Sequence, residues 1–285
     1  MLKANLMKLS IIIVNFNTKE LLANCLNSIF VHPYNEELEV LVVDNASSDG
    51  SSEMIRKTYP QIKLISNREN LGFSRANNQG IRESKGTYML LLNSDTEILE
   101  GALKAMCEFM DDNPQAGAIS CQLLLPDGTP QPFTYGQDPT LSYLIRRIIR
   151  MLSKQKYMHS WVGERPLETE WVTGACMMVR REAVDSAGYL DENIFMYFED
   201  NEWCHRMRKQ GWKIYFLPQV RVVHLGGRSL AADDPGRKAE YYKSLLYFYQ
   251  KHYSLPAQIF LRGLLRFYRL VLARQTSERM KEAGN

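Results

Sequence analysis

The chain has 285 residues, 45% of them apolar and 24% charged, enough to enclose a substantial core and too hydrophobic for a disordered segment. A net charge of +3 argues against wholesale nucleic-acid binding, although the last fifth of the chain is clearly basic. Five cysteines (Cys25, Cys107, Cys121, Cys176 and Cys204) lie far apart with no CxxC pair, which predicts buried free thiols in a reducing cytosol and excludes a disulfide scaffold or a zinc site.

Lys3 and Lys8 precede only the short apolar run Ile11 to Val14, too short for a signal-peptide core or a membrane span. No stretch of about 18 apolar residues follows, so the chain is expected to be soluble or peripheral. Leu9 to Val14 reads as a strand, Thr18 to Phe30 as a helix through Leu21, Leu22, Cys25, Leu26 and Ile29, and Leu38 to Val43 as a second strand. Asp49 to Tyr59 is a predicted helix, Ile62 to Ile65 a strand, Ser74 to Ser84 a helix, Thr87 to Leu92 a strand and Leu99 to Asp111 a helix. Strands apolar on both faces, alternating with helices, predict a parallel sheet covered by helices, with ligands beyond the carboxyl ends of the strands. Those ends turn polar at Asn15-Phe16-Asn17, Asp44-Asn45 and Asn93-Ser94-Asp95.

After about residue 115 the elements become shorter: AISCQLLL, a Pro- and Gly-rich turn from Pro126 to Pro139, an arginine-bearing helix from Leu141 to Lys156, and a strand WVTGACMMV. A helix from Glu199 to Gln210, strands at Lys213 to Leu217 and Val220 to His224, and tail helices from Lys238 to Lys281 broken near Ser254-Leu255-Pro256 complete the reading.

Neither GxGxxG nor GxxxxGK[ST] occurs, which weakens the dinucleotide and P-loop readings. Asn and Asp at strand ends still suit hydrogen bonds to a base and ribose. Asp44 has a local alternative as an Asx-turn or cap, and Asp95 as a first-turn acid for the helix near Leu99. Their occurrence at successive strand ends favours a site. One carboxylate makes a poor site for Mg2+ or Mn2+ unless substrate phosphates and water complete it. His224, ending VRVVH before Leu225-Gly226-Gly227, is the best second ligand, although a lone histidine at a strand end is more often structural. In FMYFEDNEWCHRMRKQGW, Glu199 and Asp200 either complement a helix dipole or place a general base in partly apolar surroundings.

SIIIVNFN, VVDNASSDGS, NRENLGFSRANNQGI, LLLNSDTE, WVTGACMMVRREAV, GYLDENIFMYFEDNEWCHRMRKQGW and VVHLGG, in this order, resemble the family 2 inverting glycosyltransferases of the GT-A fold, nearest the bacterial rhamnosyltransferase-like enzymes. The resemblance covers about residues 8–227. It implies an α/β class, with a Rossmann-like, mostly parallel central sheet flanked by helices. A catalytic domain over 1–230, divided into a nucleotide-binding part (about 8–115) and an acceptor and catalytic part (about 116–230), would precede a basic, aromatic helical extension over 231–285.

The resemblance also implies roles. Asn15, Asn17 and Asp44 would meet the nucleotide, and Asn70, Gly72, Ala76 and Asn78 would line the nucleotide and donor pocket. Asn93, Ser94 and Asp95 stand at a DxD-type signature whose last acid binds the donor diphosphate and a divalent metal, with His224 as the downstream ligand. Trp171, Gly174 and Ala175 would lie beneath the sugar and acceptor, and Asp200 would be the catalytic base with Glu199 beside it. Asn93 departs from the signature: an amide replaces the first acid and adds no charge, which lowers the expected metal affinity.

The expected reaction is a single displacement from a nucleotide-diphosphate sugar, with L-rhamnose on dTDP the expected donor and a UDP-hexose the alternative, onto a glycan or polyprenyl-linked acceptor. A catalytically silent nucleotide-sugar-binding assembly protein is the alternative of another class. Without a membrane-spanning segment to form a secretion channel, a processive synthase is disfavoured. Arg146, Arg147, Arg150 and Lys154 among apolar residues, and Arg262, Arg266, Arg269 and Arg274 among Phe260, Leu264, Phe267, Leu270 and Val271, suit an anionic membrane face. A helix packed on the domain with a solvated basic edge fits equally. The expected place is the cytoplasm, either free or peripheral on the inner face of the plasma membrane.

Overall fold

A computed structural model of the chain describes residues 8–32, 37–152, 164–225 and 235–268. The first half follows the predicted order: β1 (Leu9–Asn15), α1 (Lys19–Val31), β2 (Leu38–Asp44), α2 (Ser51–Thr58), β3 (Lys63–Ser66), α3 (Phe73–Glu83) and β4 (Tyr88–Asn93). These strands lie in the order β3-β2-β1-β4, all parallel. Successive residues of β1 enter opposite cores: Leu9, Ile11 and Ile13 pack with Leu22, Cys25, Leu26 and Ile29 of α1, and Ile12 packs in the cluster containing Ile81 of α3. Helices on both faces are why these strands read as unbroken apolar runs. All five cysteines are buried and free, as expected.

Beyond β4 come β5 (Thr96–Ile98), α4 (Ala102–Asp112), β6 (Ala116–Leu124), β7 (Tyr135–Gly136), α5 (Leu141–Leu152), β8 (Leu167–Thr169), β9 (Trp171–Val172), β10 (Cys176–Arg180), α6 (Arg181–Ala187), α7 (Glu199–Lys209) and β11 (Lys213–His224). β10 joins the sheet antiparallel between β4 and β6, and β11 runs parallel to β6 and antiparallel to β5 and β8. The parts expected to meet near residue 115 therefore share one mixed, 9-stranded sheet.

Two predicted strands need correction. WVTGACMMV is not continuous: β9 and β10 are separated at Thr173-Gly174-Ala175, where Thr173 N–H donates to Thr134 O and Gly174 N–H to the Asp200 carboxylate. The runs Lys213 to Leu217 and Val220 to His224 form one strand, β11, whose ladder is irregular between Leu217 and Arg221 around Pro218, which has no N–H to offer. β5 and α6 were not foreseen, being too short to show a period, and the helix expected from Leu99 begins at Ala102.

The tail forms α8 (Pro235–His252) and α9 (residues 255–268), broken at Ser254 where expected. Leu245, Phe248 and Tyr249 of α8 and Leu261 of α9 bury against Tyr143 and Leu144 of α5 and against Phe198. Glu202 of α7 accepts hydrogen bonds from Arg206 at 2.8 Å and His252 at 3.0 Å, and pairs with Lys251 at 2.8 Å. The described tail is thus packed on the helix that carries Asp200. Lys154, Gly226, Gly227, Arg269, Leu270, Val271 and Arg274 lie outside the described residues.

Candidate active site

β2 and β3 are laid down on one side of β1 and β4 on the other, so the carboxyl ends of β1 and β4 flank a topological switch point where a crevice opens. Asn15 ends β1, and its Nδ2 donates to Asp44 Oδ1 at 2.9 Å and Ser47 Oγ at 3.0 Å. The Thr18 hydroxyl donates to Asn15 Oδ1 at 2.7 Å and lies 2.8 Å from Ser94 Oγ, tying the two strand ends together. Asn17 is left-handed (φ 53°), a conformation asparagine tolerates, and its Oδ1 accepts from Ser48 N–H at 2.8 Å. Asp44 is 3% exposed and also accepts from Ser52 Oγ at 2.8 Å and Ser47 N–H at 3.4 Å. A carboxylate has about four acceptor sites. The turn-forming role takes most of them and leaves one.

Asn70 Oδ1 accepts from Asn45 Nδ2 at 3.2 Å and from Gly72 N–H at 3.0 Å. Gly72 has φ +81°, and a Cβ there would stand 2.5 Å from Phe195 Cδ2, so glycine is required twice over. Ala76 and Asn78 depart from the expected pocket lining. Both are fully buried, and Asn78 braces the following segment, donating to Leu190 O at 2.9 Å and Glu192 Oε1 at 3.0 Å and accepting from Leu190 N–H at 3.0 Å. The helical period turns their face of α3 inward.

β11 pairs with β5 so that His224 stands opposite Thr96, which brings the preceding Asp95 beside the histidine. His224 Nε2 lies 3.2 Å from Asp95 Oδ1 and 3.4 Å from Asn93 Nδ2, and Nδ1 lies 2.7 Å from Gln131 Oε1. A neutral imidazole carries one proton. With that proton on Nδ1 for Gln131, Nε2 is an acceptor for the Asn93 amide and stands beside the Asp95 carboxylate, so both are electron-pair donors available to a cation. Adjacent ligands of an octahedral ion bound at about 2.1 Å stand about 3 Å apart, so the pair fits such an ion. No cluster of three or more acidic, histidine or cysteine ligands occurs among the described residues, so other oxygens would have to complete the shell.

Tyr197 (φ 64°) and Phe198 (φ 66°) are consecutive left-handed aromatic residues, each costing about 1–3 kcal/mol, immediately before α7. Phe198 is held in that conformation by burial with α5 and α8. The turn places Asp200 in the first turn of α7, where Oδ2 accepts from Gly174 N–H at 3.0 Å and Oδ1 from Asn201 N–H at 2.7 Å. Burial raises the pKa of Asp200, and these N–H groups offset part of the rise. Glu199, 8% exposed and with Oε2 lacking a partner, is also raised, first by burial and then by the charge of Asp200.

A cleft of about 410 Å3 joins the two halves of the site. Its lining includes Asn93 and His224 from the Asp95–His224 corner, Gly174, Ala175, Glu199 and Asp200, and an aromatic wall with Trp171, Tyr143 and Tyr241. Trp171 is anchored through Nε1 to Gln137 O at 3.0 Å, and Ala175 O accepts from Asn93 N–H at 2.9 Å. Asn15, Asn17, Asp44 and Asn70 are not part of this lining; they stand just at or after the carboxyl ends of β1 and β2 and in the loop before α3, whose first residue, Phe73, lines the cleft as Asn93 does at the end of β4. The sequence reading missed Thr18, Gln131 and Tyr241. Gln131 sits in an aperiodic turn, and nothing local marks it as a partner for His224.

Among curated proteins, the chain is 28% identical over 269 residues to the N-acetylglucosaminyl-diphospho-decaprenol L-rhamnosyltransferase of Mycobacterium tuberculosis, covering 86% of each chain. It is 26% identical to the dTDP-rhamnosyl transferase RfbF of Shigella flexneri, over 77% of this chain and 70% of that one. Among solved structures, 87% of the chain superposes on GalNAc-T7, crystallised with UDP, GalNAc and Mn2+, with a TM-score of 0.62 and 17% identity, spanning 50% of that chain. TarS of S. aureus gives a TM-score of 0.56 at 20% identity, over 87% of this chain and 44% of that one, so both likenesses speak to the fold alone. The family model Glycosyl transferase family 2 matches residues 10–187, more than half of the chain. The protein therefore belongs to glycosyl transferase family 2, close to its rhamnosyltransferases, and is a glycosyltransferase of the GT-A fold.

Proposed function

We propose that the protein transfers a sugar, L-rhamnose from dTDP-rhamnose, with inversion onto a hydroxyl of a lipid-linked or surface-polysaccharide glycan. The observation that carries this reading is the single cleft holding His224 and Asn93 of the Asp95 corner at one side and Asp200 at another. The nucleotide lies at the crevice of Asn15, Asn17, Asp44 and Asn70, reached through backbone groups and the remaining acceptor site of Asp44. Asp95 and His224 would hold a divalent cation, Mg2+ or Mn2+, which when bound would supply charge neutralisation to the departing diphosphate.

Asp200, made more basic by burial, takes the proton of the acceptor hydroxyl. That oxygen forms its bond to the anomeric carbon while the bond to the phosphate oxygen breaks, and the nucleotide diphosphate leaves with the electron pair. Glu199, whose ionisation is disfavoured by burial and by the charge of Asp200, is a poor nucleophile for a double displacement. Trp171 and the Gly174-Ala175 segment form the floor beneath sugar and acceptor. The rhamnose donor and the diphosphate-linked acceptor rest on what the M. tuberculosis and S. flexneri relatives are named for.

Peripheral contact with the cytoplasmic membrane face is part of the same reading, because a polyprenyl-linked acceptor resides there. α9 supports it: Leu255, Ile259, Phe260 and Phe267 are 50% exposed or more, beside exposed Arg262 and Arg266. No helix among the described residues is long and apolar enough to cross a membrane. Screening nucleotide sugars for thermal stabilisation and hydrolysis, with and without Mn2+, tests the donor. dTDP-rhamnose is expected to respond best, and an equal or better response to a UDP-hexose would overturn the assignment.

A further inference from the structure

Arg147 is the single lysine or arginine among the described residues that line the cleft. It enters from α5, which belongs to neither the nucleotide strands nor the Asp95 corner. Its guanidinium lies over the Phe133 ring, 5.6 Å from the centroid, and Nη1 donates to Tyr241 Oη at 3.4 Å. An aromatic face below and a hydroxyl beside it fix a planar donor fork at the cleft wall, a geometry suited to a phosphate group. In the reading given above, the donor diphosphate would be neutralised by a cation held at Asp95 and His224. Arg147 lines the same cleft as Tyr143, Trp171, Asn201 and Asp200, the last being where an acceptor hydroxyl has to stand. α5 and α9 share one apolar cluster through Tyr143, Leu144 and Leu261, so the helix that carries Arg147 is packed against the helix with the exposed apolar side chains.

We propose that Arg147 is the anion contact of an acceptor subsite, binding the diphosphate of a lipid-diphosphate-linked sugar while a hydroxyl of that sugar faces Asp200. The inference rests on the lipid-linked acceptor reading given above. Phe133 and Tyr241 are positioning residues that aim the guanidinium.

Calorimetric binding to the full chain tests it without needing turnover. The probes are an N-acetylhexosamine joined through a diphosphate to a short alkyl chain, the neutral alkyl glycoside of the same sugar, and dTDP. Arg147→Gln is expected to weaken the diphosphate probe about tenfold, the size of a lost charge-assisted hydrogen bond, and to leave the glycoside and dTDP unchanged. Arg147→Lys, which keeps the charge but not the fork, should fall between, and Tyr241→Phe should show a smaller loss confined to the diphosphate probe. These two variants carry the test if Arg147→Gln does not fold. Unchanged affinity for the diphosphate probe, equal losses on both sugar probes, a loss on dTDP, or a wild type with no preference for the diphosphate probe over the glycoside would each overturn the proposal. Failure of the function reading has a separate signature: no transfer from any nucleotide sugar, whatever the binding results.

Discussion

Replacing Asp200 with Asn keeps the shape of the side chain and removes its basicity. A positioned general base contributes about 100- to 10,000-fold, or roughly 3–5 kcal/mol of barrier, so the transfer rate should fall by that factor. Stability moves differently. The pKa of Asp200 is raised by burial above its unfolded value, so the stability linked to its protonated form is complete at low pH and is lost as pH rises through the folded pKa. At neutral pH the wild type bears that cost and the Asn variant does not. Asn gives up about 1 kcal/mol where its amide group meets the Asn201 or Gly174 N–H. The thermal midpoint should therefore stay close to wild type, and dTDP affinity should not change. The assay is initial-rate transfer across pH, with calorimetric dTDP binding and a melting curve as controls. Wild type should show an acid limb displaced above the ordinary carboxylate range, and the residual rate of the variant should lack it. An Asp200→Asn enzyme within about threefold of wild type, with the acid limb intact, would refute the base assignment.

Gln131→Leu removes the group that orients His224 without touching a ligand, and should weaken Mn2+ about 10- to 100-fold as read from the metal dependence of transfer. Gly72→Ala drives a Cβ to within 2.5 Å of Phe195 at a left-handed φ, and chemical denaturation should report a loss of roughly 1–3 kcal/mol. Burial opposes ionisation of Glu202, but its bonds with His252, Arg206 and Lys251 outweigh that and hold its pKa at about 2 against an ordinary 4.5. It should therefore contribute roughly 3 kcal/mol above pH 4.5, lost as pH falls toward about 2, and Glu202→Gln should flatten that acid limb of stability in a pH series of melts.

The first half of the chain was legible because its information is local. β1, β2 and β4 are apolar runs that stop at Asn15, Asp44 and Asn93, and a strand covered on both faces has no other way to read. The position of Asp95 just beyond a strand end followed from the same pattern, whereas the switch point follows only from the strand order. What escaped is set by distant pairing. The break at Thr173-Gly174-Ala175 exists because a backbone N–H is spent on Asp200, 26 residues away, and composition does not show that debt. Gln131 meets His224 across 93 residues, and Tyr241 reaches the cleft only because α8 packs on α5 and α7. Asn78 shows the same dependence on distant pairing: its side chain is buried and bonded to Leu190 and Glu192, 112 and 114 residues away.

The measurement that bears most directly on the mechanism is the configuration of the transferred sugar. With dTDP-rhamnose, Mn2+ and a lipid-diphosphate-linked acceptor, NMR of the product formed by the wild-type chain should show an anomeric centre opposite to that of the donor. A product with the donor's configuration would require a covalent or front-side route, and would contradict a single displacement driven by Asp200.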